Sequence, residues 1–253
     1  MKRALVLVVT FSCGKPTNAL PTETWGITDF ANAGLHIDKP WTPDNFTTAA
    51  TVLKAQCTGH RDRLPHFHGQ KSGEVFAKLL TPLPDDHAAP VTERFKAHML
   101  RGEALNAISK LYLEDMLAAP SREFIEVMGS YLGEAAALAT TADPFLASFG
   151  PDDPKHQTRL DGLAKMKHGD GLMMQGGLLV AEDARVPEDD RLAMLAYVTA
   201  VLPTLFPHAE PEVQQTIRDN LAKHVETTSP GKPHDAFVAA RQALPPSSAK
   251  PSN

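Results

Sequence analysis

Cys57, His60, His66 and His68 place one thiol and three imidazoles within twelve residues. Zinc takes four nitrogen or sulfur ligands in a tetrahedron, and a loop such as Arg61 to Phe67 could fold back to supply them. On that reading the segment is a zinc site, or the centre of a metal-dependent enzyme. The spacing matches no zinc module, and a second reading stands beside it. Cys57 shares a helical face with Phe46, Ala50 and Leu53, where a cysteine behaves as a small core hydrophobe. A Cys57–His60 thiolate pair would need an activated, accessible sulfur, which that face opposes.

The next set is Lys167-His168-Gly169-Asp170-Gly171. Its glycines predict a turn, so His168 and Asp170 are either a general acid/base pair or part of an ordinary solvated turn. These glycines do not extend to Gly-x-Gly-x-x-Gly, because Met174 stands in the last place. The chain has no Gly-x-Ser-x-Gly and no His-Glu-x-x-His, so the local marks of serine hydrolases and zinc peptidases are missing. The adjacent acids at 85–86, 152–153 and 189–190 fall in loops or helix starts, where capping and solvation account for them. No residue is assigned as catalytic.

The elements that must position these groups read as helices. Thr42-Pro43 opens the first, a capping hydroxyl followed by proline at the first helical place. A short helix from about Ser72 carries Val75, Phe76, Leu79 and Leu80 inward, and residues 83–90 form a loop. Two long patterns then fill 91–139. Val91, Phe95, Met99, Leu105, Ile108, Tyr112 and Met116 share one face, as do Phe124, Met128, Tyr131, Ala135 and Leu138. Ala119-Pro120-Ser121 separates them, and Gly102 bends or divides the first. This pair reads as scaffold, with His98 a packed imidazole.

Asp143-Pro144 predicts a single turn and Asp153-Pro154 a helix with Leu160, Leu163 and Met166 inside. Gly162, Gly169 and Gly176 then recur every seven residues. That stripe implies either a close helix neighbour or a break near Gly169-Asp170-Gly171, with a short strand at 178–180 as a further option. Pro187-Glu188-Asp189-Asp190 starts a helix with Leu192, Leu195, Val198, Val201 and Leu202 inward, stopped by Pro203. Helices over 211–225 and from about 233 to 244 follow, and 245–253 is disordered by composition. The fold class is therefore all-α: an irregular bundle of about seven to nine helices over 42–244, with an extended N-terminal arm.

Met1-Lys2-Arg3 is basic, residues 4–12 are mostly apolar, and Cys13 follows. The run is too short to cross a bilayer, which needs about 20 residues. The arrangement resembles a bacterial lipoprotein signal over residues 1–13. That resemblance implies a lipidated Cys13, a membrane anchor, and placement at the outer membrane or periplasmic face. Thr10 and Phe11 depart from the usual pattern, while Ser12 fits it. Cleavage after Ala19, giving a secreted or periplasmic protein, is the alternative; a buried first strand in a cytosolic helical protein is another. Residues 14–41 are a tether and irregular arm. Trp25, Phe30 and Trp41 within it either pack on the helices or form an exposed aromatic binding strip.

The chain has 253 residues, 42% of them hydrophobic, with 25 Lys and Arg against 30 Asp and Glu. A net charge of −5 without a basic cluster disfavours nucleic acid. The expectation is an exported, lipid-anchored helical protein with a non-catalytic binding or accessory role in the bacterial cell envelope. Its partner would be an envelope protein or a small ligand, and no cofactor is required unless the histidine cluster takes zinc. Recognition is expected in the arm, the histidine-rich loop or the glycine-rich stretch.

Overall fold

The computed structural model describes residues 27–59, 63–66, 72–83, 87–113, 120–150 and 152–246. Among them are nine α-helices and one 3-10 turn, with no strand. They are α1 (Ile27–Asn32), α2 (Pro43–Cys57), α3 (Ser72–Leu80), α4 (Val91–Tyr112), α5 (Arg122–Ala147), α6 (His156–Glu182), α7 (Glu188–Leu205), the turn Phe206–His208, α8 (Pro211–Thr227) and α9 (Lys232–Gln242). The fold is all-α, as the apolar spacings predict. None of the described helices is long and apolar enough to cross a membrane.

The predicted pair, α4 and α5, forms the most extensive helix contact, and α5 also meets α3, α6 and α7. Phe124, Ile125, Met128, Leu132 and Ala135 are buried along α5, at the three- and four-residue steps that keep side chains on one face. Ser121 caps this helix, its hydroxyl accepting from the Phe124 amide at 3.3 Å. α2 packs on the other side of α4, while α6 and α9 pack on α7 and α8 packs on α6 and α9. One continuous apolar core runs through these helices. A smaller cluster of Phe95, Leu138, Ala142 and Leu163 lies where α4, α5 and α6 meet.

Pro144, expected to open a separate turn, and Pro203, expected to stop its helix, both lie inside continuous helices, α5 and α7. A proline leaves the carbonyl four residues earlier without its donor. Both prolines are on the exposed side of their helices, where water can serve that carbonyl. Phe145 is also held by stacking on Phe95, with centroids 4.1 Å apart. The last turn of α5 is thus fixed by packing.

The glycine-rich stretch is a single 27-residue helix, so the alternative of a break near Gly169 fails, as does that of a strand at 178–180. Leu160, expected inside, is 38% exposed. Within this stretch the close approaches fall on different glycines from those of the seven-residue stripe. A Cβ on Gly162, Gly169 or Gly176 would meet nothing within 4 Å, whereas one on Gly177 would lie 2.7 Å from Val198 of α7. Gly102 does not divide α4, which is continuous; a Cβ there would sit 3.8 Å from Glu134 and Leu138 of α5.

The arm is helical in part, and it packs. Phe30, Leu35 and Trp41 are buried, the Phe30 and Trp41 rings stack at 6.2 Å, and Trp41 meets Phe46 edge-on at 5.4 Å. The Trp41 indole donates to the His36 carbonyl at 3.1 Å.

Candidate functional site

Among the described members of the histidine-rich segment, Cys57 is 1% exposed and donates to the Arg63 carbonyl at 3.4 Å. Tyr112 donates its hydroxyl to the Pro65 carbonyl at 2.6 Å. The His66 amide donates to Ser72 at 3.2 Å, and its Nδ1 lies 3.6 Å from Glu123 Oε1. These bonds tie the segment down onto α3, α4 and α5. The Nε2 of His66 has no hydrogen-bond partner there. His60 and His68 lie outside the described residues. Among the described ones, no three His, Cys, Asp or Glu side chains group closely enough to hold a metal ion.

Phe30 and Trp41 belong to the core, so neither is available as an exposed strip; Trp25 and Cys13 lie outside the described residues. His168 and Asp170 do not form a pair. Two residues apart on a helix they diverge by about 200°. His168 turns out to Glu210, at 2.9 Å, whereas Asp170 turns in and is 3% exposed. The predicted solvated turn is overturned along with the pair, because α6 continues through both residues.

Asp170 lines a cleft of about 370 Å³ between α4, α5 and α6. The three helices give it two unlike ends. Phe95, Met99, Leu138, Phe145, Leu163 and Met166 make one end apolar. Glu103, Asn106, Tyr131 and Asp170 bring the polar groups to the other. The polarity follows from antiparallel packing. Phe95 near the start of α4 meets Phe145 near the end of α5, so the later turns of α4 meet the earlier turns of α5. Along α6 the lining runs from Arg159 to Asp170, about 16 Å at 1.5 Å per residue.

The Asp170 carboxyl is the unusual group. Its Oδ2 is buried and, among the described residues, has no hydrogen-bond partner. Burial disfavours the charged form and raises its pKa to about 7. Burial and the charge of Asp170 hold the Tyr131 phenol up to about 12, so it stays protonated. Arg159 is already engaged, 2.8 Å from Asp153 and 3.5 Å over the Phe149 ring.

A second cavity of similar size lies across the α4–α5 pair, beside Arg94, His98, Arg101 and Glu134. Its charges are satisfied differently. Arg101, 2% exposed, bonds to Glu134 and donates to the Leu79 and Leu80 carbonyls at 3.2 and 3.3 Å. His98 Nδ1 lies 2.8 Å from the other Glu134 oxygen. Burial lowers the Arg101 pKa while Glu134 opposes the shift. The three side chains form a paired cluster joining α3, α4 and α5.

Sequence reasoning missed the apolar cleft because it treated α4 and α5 as scaffold and the start of α6 as a separate matter. The available signal was Asp170 itself, a carboxylate in line with Leu163, Met174 and Ala181. No family model, no curated protein and no solved structure matches this chain. The class it defines is thus set by its own geometry: an all-α protein with an apolar cleft ending at a buried carboxyl.

Proposed function

We propose that this is a non-catalytic binding protein of the bacterial cell envelope, lipid-anchored through Cys13, whose ligand is a small, largely apolar molecule held between α4, α5 and α6. The observation that carries the ligand site is the cleft with the unpartnered carboxyl of Asp170 at its polar end. Ligand pockets are commonly apolar concavities of about 300–1,000 Å³ with a few placed polar groups, and this cleft has that character. The basic start, short apolar run and Cys13 support the anchor.

Nile red, a neutral dye that brightens in apolar surroundings, tests the cleft. It should bind the full-length chain with about one-to-one stoichiometry and be displaced from Gly162→Phe. Gly162 lines the cleft and has open space at its Cβ, so a phenylalanine there adds bulk at the cleft without a clash at its Cβ. Equal binding to both proteins would sink the site. Intact mass of chain purified from bacterial membranes tests the anchor: acyl mass on Cys13 supports it, and an unprocessed chain opposes it.

A further inference from the structure

We propose, resting on that reading of the cleft, that the ligand is an amphiphile with a protonated amine, its ammonium at the Asp170 end and its apolar tail toward Phe95 and Phe145.

The charges of the lining point to a cation. Two carboxyl side chains, Asp170 and Glu103, stand at the polar end. The lining cation, Arg159, is about 16 Å away along α6 and already paired with Asp153. A ligand carboxylate would therefore meet like charge at one end and an occupied guanidinium at the other. An ammonium instead brings the Asp170 carboxyl an opposite charge, and the Tyr131 ring nearby offers a cation an aromatic wall.

Burial makes the arrangement selective. An ion pair formed away from water is strong only if both charges are satisfied, and a buried carboxyl without a partner prefers its neutral form. Burial alone holds the Asp170 pKa up to about 7. Among the described residues, the other titratable groups lining the cleft are Glu103, Tyr131 and the distant Arg159. Glu103 comes from α4 and Tyr131 from α5, and beside it Gly171 meets the apolar Ala209 and Val213. Its neighbour on α6, His168, is turned to Glu210. A bound ammonium therefore draws Asp170 into its ionised form and releases a proton wherever the carboxyl was protonated beforehand. Amine affinity rises with pH up to about 7 and then levels, because an alkylamine stays charged until about pH 10.

The probes are n-decylamine, n-decanol and n-decanoate, which share a tail and differ in the head, titrated calorimetrically into the full-length chain. At about pH 8 decylamine should bind at least tenfold tighter than decanol, with decanoate weakest. Below about pH 7 that advantage should shrink by up to tenfold per unit. Asp170→Asn should abolish the amine preference and leave decanol binding in place. The wild-type pH profile carries the test should the variant fail to fold. Decanol or decanoate binding as tightly as decylamine, or an amine affinity indifferent to pH, would overturn the amine assignment while leaving the cleft intact. Binding of none of the three, together with no Nile red binding, would overturn the cleft reading beneath it.

Discussion

At the scale of single residues, Asp170 sets the terms. A carboxyl buried without a partner is a cost to the folded chain whenever it is ionised. Its folded pKa lies near 7 against an ordinary 3.8. Between those values the native state binds the proton that the unfolded state has lost. Stability linked to Asp170 is therefore complete below about pH 4 and is lost as pH rises toward 7. Asp170→Asn removes this titration. The variant should gain on the wild type as pH is raised, by up to about 4 kcal/mol between pH 4 and 8, taking 1.36 kcal/mol per unit. Urea denaturation at several pH values reads the difference, and parallel pH profiles would show that the carboxyl titrates normally. Cys57 makes the opposite point: a residue suited to metal chemistry by type is used as a core atom and a donor to Arg63.

At the scale of elements, small residues decide how closely α5, α6 and α7 approach. The Gly129 position on α5 lies directly under the Tyr197 ring of α7, where a Cβ would stand 2.4 Å from Cδ2. That ring cannot swing aside freely, because the Tyr197 hydroxyl is bonded to Glu126, which Arg122 also grips. Arg122 in turn reaches Asp190 at the start of α7, at 2.9 Å. The acid at 190 thus does more than complement a helix end. Gly129→Ala and Gly177→Ala should each destabilise by about 1–3 kcal/mol through overpacking. Gly169→Ala and Gly176→Ala, with open space at the Cβ, should each stabilise by about 0.5–1 kcal/mol. Thermal unfolding of the four variants separates the two classes; equal effects would mean that α6 and α7 do not meet as described.

At the scale of the whole molecule, Arg101 joins the N-terminal helices to the rest. Its guanidinium lies 4.9 Å over Phe46 of α2, bonds to the end of α3, and pairs with Glu134 of α5. Replacing it by methionine keeps the stem volume but leaves Glu134 buried, with His98 as its remaining partner among the described residues. Breaking a buried pair in this way costs about 3–5 kcal/mol. Arg101→Met should lower stability by that order in urea denaturation. The double variant Arg101→Met/Glu134→Leu should recover much of the loss. A loss under about 1 kcal/mol in the single variant would show that the cluster is solvated.

The all-α class, most of the helices and the central pair were legible in the sequence because apolar spacing reflects a local geometry, 3.6 residues to the turn. The capping signals at Thr42-Pro43 and Ser121 were legible for the same reason. Pro144 and Pro203 were misread, and a break near Gly169 stood open beside a close helix neighbour, because whether a proline or glycine interrupts a helix depends on what its exposed carbonyl or bare Cα faces. That is a property of neighbours distant in sequence. The histidine cluster stood out by composition, yet its described members meet the Arg63 carbonyl, the Ser72 hydroxyl of α3 and the Glu123 carboxylate of α5. Only the tertiary structure could set Asp170 at the polar end of an apolar cleft. The antiparallel crossing of α4 and α5 against α6 gathers residues from 95 to 170 along the chain, and burial there turns an ordinary aspartate into a carboxyl near neutrality. Sequence fixes which residues can share a helix face; packing decides which faces meet and what is left between them.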